Sequence, residues 1–317
     1  FDSERPSQLR GGFGLFAGQS PTVWLANPFS NNGLSYTDYF VSTGAGVTFN
    51  PDPNNQPRPG TFGTQSVDFI SPDLEQPSAW KANIAFDIET PWNGIVFTTE
   101  FITTDVNEAI FYQQLNLGAS TSVGQDGRIV YFNSQGLNPD CWTATGSNPT
   151  NSAALATGCA SQNLTTGVIS TRVQSRSNRD RAYNNAIIAQ STGKGSSDSF
   201  TLALSQPFNE GDWSWNVGYT YTLATEVSPL TSSTSGSNLG NVAVFQANEE
   251  VEARSSYAIR DRFTAALNWK HNFWGDNQTL VTVYYEGRSG KPYSYTYSND
   301  ANGDGRADEK RVLFTGF

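Results

Sequence analysis

The chain has 317 residues and a formal net charge of −10, which argues against a nucleic-acid partner because such a partner requires a basic face. Charged residues make up only 15% of the chain and aromatic residues as much as 13%. No run approaches the roughly 18 to 20 apolar residues of a spanning helix, whereas a spanning β-strand needs only about 9–11 alternating residues. The absence of methionine indicates a processed form or an internal piece of a longer protein.

The first predicted hairpin lies in WKANIAFDIETPWNGIVFTTEFITTD, residues 80–105. From Trp80 to Ile88 every second residue is apolar, and most of the residues between them are polar or charged. A period of two indicates a β-strand with two chemically different faces. The segment from Pro91 to Gly94 supplies the residues of a tight turn.

The second predicted hairpin lies in SFTLALSQPFNEGDWSWNVGYTYTL, residues 199–223, and turns at 209–212. Its second strand alternates strictly between large apolar residues and small or polar ones. One face is predicted to carry Trp213, Trp215, Val217, Tyr219 and Leu223, and the other to carry Ser214, Asn216 and Thr220. We expect the first set to face lipid and the second to face a wet lumen.

The third predicted hairpin, residues 262–287, turns at Gly275–Asn277, and the short turns of all three hairpins alternate with long polar segments. These segments run from about 104 to 185, from about 224 to 256, and onward after Gly287. Short turns at one end of the strands and long loops at the other are typical of outer-membrane barrels. Aromatic residues in or beside the short turns suit an interfacial girdle: Trp92, Trp213, Trp215, Phe273 and Trp274. An aromatic-rich soluble core would explain the alternation but not this clustering.

Two further features lie in the long segments. Cys141 and Cys159 stand in a Ser/Thr/Asn/Gly-rich stretch, where a disulfide is favoured over a metal site or two unrelated thiols. The segment NDANGDGRADEK matches a calcium loop at five alternate positions and departs from it at Arg311, where a bidentate glutamate is usual. The candidate calcium ligands are Asp300, Asn302, Asp304, the Arg306 carbonyl and Asp308, and an unliganded acidic turn is the alternative.

Enzymatic chemistry is not indicated. The single histidine, His271, lies beside the third turn, and a nucleophile elbow, a zinc-protease motif and zinc-spaced Cys/His sets are all missing from the sequence. No catalytic residue and no required cofactor are therefore predicted, with calcium the one possible ion.

The ordered set of strands resembles the barrel of TonB-dependent outer-membrane receptors, and within them the Oar-like subfamily. The resemblance is carried by RPSQLRGGFGLFAGQSPTVWLANPFSNNG, by residues 78–117, by AIIAQSTGKGSSDSFTLALSQPF and by residues 259–308. It implies an all-β fold: an antiparallel meander that forms part of a 22-stranded transmembrane barrel, with short periplasmic turns and long extracellular loops. Residues 1–317 would be a partial barrel without the plug domain and TonB box.

The resemblance also implies a function in the outer membrane of a Gram-negative bacterium. The expected partners are the TonB-ExbB-ExbD complex, outer-membrane lipid and an unknown extracellular ligand that is taken up with TonB-coupled energy. An outer-membrane structural or adhesion protein on the same barrel, without transport, is the alternative. Mixed charges beside aromatics suit a peptide-like or zwitterionic ligand, unless the charged loops are only solvated surface. The candidate contacts are Arg176, Arg179, Arg181, Tyr183, Tyr257 and Tyr293.

Overall fold

The computed structural model describes residues 5–35, 48–57, 65–92, 94–132, 161–162, 169–170, 180, 182–209, 211–296, 302–304 and 312–315. The elements are, in chain order, β1 (Ser7–Ala17), α1 (Thr22–Ser30), β2 (Ser66–Ile70), β3 (Ser78–Glu89), β4 (Val96–Gln114), β5 (Ser122–Val123), β6 (Ile129–Val130), β7 (Ser161–Gln162), β8 (Ile169–Ser170), β9 (Asn185–Thr192), β10 (Gly195–Gln206), β11 (Trp213–Glu226), α2 (Ser235–Gly240), β12 (Ala253–Arg254), β13 (Asp261–Trp274), β14 (Asn277–Arg288), β15 (Ser294–Thr296) and β16 (Val312–Thr315).

One large sheet organises the described part of the chain. Its long strands are hydrogen-bonded in the order β1-β3-β4-β10-β11-β13-β14, and every neighbouring pair in this order is antiparallel. The three predicted hairpins are therefore confirmed, as β3–β4, β10–β11 and β13–β14. At the first of the turns Gly94 has a φ of 68°, a backbone conformation that glycine adopts without a steric penalty. The prediction of a mostly antiparallel, all-β fold is confirmed.

The register of the sheet aligns most of the apolar positions of the seven strands on one face. Residues that are paired across neighbouring strands point to the same face of the sheet. An apolar residue in one strand therefore lies beside the apolar residue that is paired with it in the next strand. Successive partners across the sheet form rows, one of which contains Ile84, Phe101, Phe200, Tyr221 and Asp261, and the next Leu9, Phe86, Thr99, Leu202, Tyr219 and Phe263. As predicted, the five apolar residues of β11 lie on one face of the sheet, and Ser214, Asn216 and Thr220 lie on the other face.

The apolar face is the exposed one. In β3 the Ile84 side chain is 55% exposed while its neighbour Ala85, on the other face, is 1% exposed. In β11 Trp213 is 52% exposed and Ser214 is 7% exposed. A soluble sheet has the reverse arrangement, since its apolar face covers a core and its polar face meets water.

Hydroxyl and amide groups pair across the strands on the opposite, polar face. Ser199 and Thr222 hydroxyls lie 2.9 Å apart, and those of Thr201 and Thr220 lie 3.0 Å apart. Such cross-strand pairs stabilise a sheet by roughly 0.2–1 kcal/mol each. This face is therefore held together by polar contacts between side chains.

An ion-pair network occupies the same polar face near β1. The Arg10 Nε lies 3.0 Å from Asp87 Oδ2, and an Arg10 terminal nitrogen lies 3.7 Å from Glu100 Oε1. Thr98 donates a further hydrogen bond of 2.7 Å to Asp87. Three strands, β1, β3 and β4, are thus linked by side chains as well as by backbone hydrogen bonds.

A smaller layered structure, here called the cap, sits at the end of the sheet away from the short turns. It consists of α1, β2, β9, α2 and the last residues of β4, and β2 pairs with β9 in parallel. Its core contains Ile110, Tyr112, Ile187 and Ala189, packed against Trp24, Leu74, Leu230 and Leu239. The Trp24 indole donates a 2.8 Å hydrogen bond to the Ser232 carbonyl, which joins α1 to the loop before α2.

The prediction of a polar loop from about residue 104 was wrong at its start. The β4 strand continues to Gln114, because β9 pairs with residues Ala109–Gln114 after β3 and β10 have diverged from it. The pairing partner comes from a distant part of the chain and cannot be identified from local alternation. No helix in the described part of the chain is long and apolar enough to span a membrane.

We predict that Ile187→Ala destabilises the cap by about 2–5 kcal/mol, because Ile187 is 2% exposed and its loss leaves a cavity. The matched control, Ile84→Ala, removes the same atoms from an exposed position, leaves no cavity and should therefore destabilise the protein by clearly less than Ile187→Ala. Hydrogen exchange of the β9 and β3 amides measures both effects. Equal protection losses in the two variants would contradict this assignment of the core.

Candidate functional site

The largest described cavities lie beside one another at the cap end of the sheet, where the segments after β11, β12 and β14 meet. One has a volume of about 600 Å³ and the other about 550 Å³. Both are lined by Arg254, Lys291, Pro292 and Tyr293. We call the two together the loop-end cleft.

Backbone hydrogen bonds fix the walls of this cleft. The short strand β12 pairs with the end of β11, with Arg254 opposite Thr225. The wall formed by residues 289–293 is attached to the start of β13, where the Ser289 amide donates a 2.8 Å hydrogen bond to the Asp261 carbonyl. The Asp261 amide in turn donates to the Ser289 hydroxyl at 3.1 Å. The cleft is thus supported by the regular strands beneath it.

Cationic side chains predominate in the cleft. Arg260 is ion-paired, with its Nε 2.8 Å from Asp261 Oδ2, and this hydrogen bond raises the pKa of Arg260. Arg254 and Lys291 form no ion pair with any carboxylate in the described residues. One carboxylate, Glu226, lines the cleft, and it accepts a 2.8 Å hydrogen bond from the Ser256 amide.

Two tyrosines add aromatic surface to these charges. Tyr257 and Tyr293 are both exposed and line the same cavity. The Lys291 ammonium lies 5.7 Å from the centre of the Tyr257 ring, within the range of a cation–π contact. The cleft can therefore offer positive charge and a flat apolar surface to one molecule.

The structure brings together only some of the predicted ligand contacts. Tyr257 and Tyr293 share the cleft, whereas Tyr183 lies just before β9 and accepts a hydrogen bond from Asn116 through its carbonyl. Arg176, Arg179 and Arg181 lie outside the described residues. Neither Arg254 nor Lys291 was among the predicted contacts. A lone lysine after a strand, such as Lys291, carries no local signal.

The predicted calcium loop is only partly described. Asn302 and Asp304 are fully buried, and the Asn302 carbonyl accepts a 2.6 Å hydrogen bond from the Tyr131 amide. Asp300, Arg306 and Asp308 lie outside the described residues, so the calcium site stays a prediction. Cys141 and Cys159, the predicted disulfide, lie outside them as well.

His271 takes part in an aromatic cluster at the third short turn. Its ring stacks on Trp269 with centroids 5.4 Å apart and contacts Phe273 edge-on at 4.7 Å. Trp213 of the neighbouring strand lies 5.9 Å from Trp269. This is the surrounding of a strand residue in an aromatic band; the expectation that the protein is not an enzyme remains a prediction.

A separate, much smaller cavity of about 30 Å³ lies in the cap, with Tyr112 and Ser228 in its lining. The hydroxyls of both residues are buried without a hydrogen bond of good geometry among the described residues. Burial raises the pKa of Tyr112 to about 12, and the nearby Asn238 side chain opposes this rise. The neutral phenol is therefore the form that the folded cap stabilises.

Comparison with known proteins returns no match: no family model, no curated protein and no solved structure is similar to this chain.

We predict that the cap loses stability in alkali through Tyr112. Because the folded pKa is raised, the contribution of the neutral phenol is complete below pH 10, declines as pH rises and is lost above about pH 12. Tyr112→Phe should abolish this part of the pH dependence and should not weaken the cap at neutral pH, since it removes a buried hydroxyl that makes no hydrogen bond of good geometry within the described residues.

The measurement is the tyrosinate absorbance of the native protein minus that of Tyr112→Phe, recorded together with hydrogen exchange of the cap. A difference spectrum that titrates near pH 10 would contradict the buried position of the phenol.

Proposed function

We propose that the chain is part of an outer-membrane receptor of a Gram-negative bacterium that binds an external ligand and transports it across the membrane. The observation that carries this proposal is the inverted sheet, whose apolar face is exposed and whose other face carries paired hydroxyls and ion pairs. Exposed apolar area of this extent marks a surface that contacts something other than water. Lipid is the environment that suits an apolar band seven strands wide.

The hairpins are also staggered in the way that a tilted barrel requires. One row of paired residues crosses all three hairpins and consists of Ile88, Phe97, Leu204, Val217, Ala265 and Tyr285. Beyond this row the first strand of each hairpin extends further toward its turn than that of the hairpin before it: β3 ends at Glu89, β10 at Gln206 and β13 at Trp274. Strand tilt and register stagger are linked when a sheet closes on itself. Among the described strands β1 and β14 each have one unpaired edge, and we propose that further strands of a larger barrel pair with both.

The aromatic residues support an orientation in the membrane. The cluster of Trp213, Trp269, Phe273 and Trp274 lies by the short turns, where indole and phenyl rings suit the headgroup boundary. The short turns then face the periplasm, and the cap and the loop-end cleft face the outside. Ser214, Asn216 and Thr220 face the lumen in this arrangement.

The transport step rests on the resemblance to TonB-dependent receptors of the Oar-like subfamily. Energy would come from the TonB-ExbB-ExbD complex through a plug domain and TonB box, which the resemblance places outside residues 1–317. The sequence of the full-length gene discriminates between TonB-coupled transport and a structural or adhesion role without transport. A gene that encodes neither part would leave the structural or adhesion role on the same barrel.

We predict that Leu202→Arg blocks assembly into the outer membrane, because a guanidinium on the lipid face of a barrel costs about 2–4 kcal/mol near the bilayer centre. The matched variant, Thr201→Arg, places the same group one residue away on the polar face and should assemble. The readout is the amount of folded protein that sediments with outer membranes and requires detergent for extraction. Equal assembly of the two variants, or a wild-type protein that is released without detergent, would overturn the membrane assignment.

A further inference from the structure

We propose that the loop-end cleft binds an organic carboxylate that is joined to an aromatic or apolar group, with Arg254 and Lys291 taking the carboxylate. This inference rests on the proposed function, since it specifies the class of ligand that the external end of the receptor accepts.

The charge of the cleft is opposite to that of the whole protein. The chain as a whole carries a net charge of −10, yet the cleft is lined by three cations, Arg254, Arg260 and Lys291, and one carboxylate, Glu226. A locally cationic concave surface raises the concentration of anions near it and excludes cations. The ligand group that enters the cleft is therefore anionic.

Arg254 and Lys291, which form no ion pair with a described carboxylate, line both cavities of the cleft. Arg260 already forms an ion pair with Asp261, at 2.8 Å. We therefore expect it to contribute to the electrostatic potential of the cleft more than to a direct contact with the ligand. Arg254 and Lys291 have donors available. The arginine fork matches the two oxygens of a carboxylate, and the lysine adds a point charge.

The aromatic walls indicate what the carboxylate is attached to. Tyr257 and Tyr293 are 55% and 69% exposed and line the cleft beside the cations, and Tyr293 contacts Tyr295 edge-on at 5.5 Å between ring centroids. Rings fixed in this manner offer flat apolar area at a low cost in conformational entropy. A small inorganic anion would leave this surface unused, whereas an aromatic carboxylate covers it.

The size and rigidity of the cleft suit a small molecule. Its lobes, about 550 and 600 Å³, fall in the range of pockets for small ligands. Backbone hydrogen bonds join its walls to the regular strands β11 and β13. Walls supported in this way lose little conformational freedom when a small molecule binds, and specificity can reside in the two cations and the two rings.

The test is isothermal titration of the full-length protein in detergent with N-acetyltyrosine and with its neutral amide. The two probes differ only in the carboxylate. We expect the carboxylate to bind about tenfold more tightly or better, as for a charge-assisted hydrogen bond, with a preference that weakens as salt is raised. Inorganic phosphate is the competitor that detects a site for simple anions.

Arg254→Gln and Lys291→Gln should each abolish most of the preference for the carboxylate. Tyr257→Ser should weaken both probes alike, since it removes ring contact and leaves the charges. The control is Lys194→Gln, which removes the same charge at the same end of the sheet; Lys194 pairs with Glu250 and does not line the cleft. This variant should bind like the wild type.

Equal binding of acid and amide, no binding of either, a preference that survives both cation variants, or displacement by phosphate at lower concentration than by the acid would each overturn the inference. These results are independent of the membrane assignment. That assignment is tested by the assembly of Leu202→Arg and Thr201→Arg, so a failure of one proposal is distinguishable from a failure of the other.

Discussion

The antiparallel hydrogen-bond register is the constraint on which the rest of the structure depends. In every strand of the large sheet the side chains alternate with a period of two, and the register places most of the apolar positions of the seven strands on the same face. A slip of one residue between any two strands would place a row of leucines and aromatics among the hydroxyls and ion pairs of the opposite face. The register is therefore selected by both faces at once.

The consequence is a sheet that has no apolar core of its own. Its polar face is tied together by hydroxyl pairs such as Thr201–Thr220 and by the network around Arg10, and each such contact contributes modestly. Its apolar face gains nothing from water. In the proposed membrane location, lipid against that face stabilises the sheet. Among the described residues the buried apolar cluster lies in the cap, around Ile110 and Ile187.

This separation assigns different tasks to the two ends of the strands. At one end the connections are short and aromatic, with Trp269 and His271 stacked beside the last turn. At the other end the same strands carry the cap and the loop-end cleft, whose walls are hydrogen-bonded to β11 and β13. A rigid sheet that presents variable connections is the usual way for a fold to position binding residues. Arg254 and Lys291 lie 37 positions apart in the chain and meet only because β13 and β14 return to the same end.

The sequence by itself determined the three hairpins, the two faces of β11 and the difference between turn end and loop end, because each depends on local alternation and turn residues. It also named Tyr257 and Tyr293 as candidate ligand contacts, and the structure places both in one cavity, whereas their role in binding remains a prediction. Only the tertiary structure decided that β4 continues to Gln114, that β2 joins β9 in parallel, and that Lys291 completes the cleft. Each of these depends on a partner far away in the chain. Alternation with a period of two specifies the face of the sheet on which a residue lies. Which residue of another strand it contacts on that face depends on the pairing register between strands that are distant in the chain.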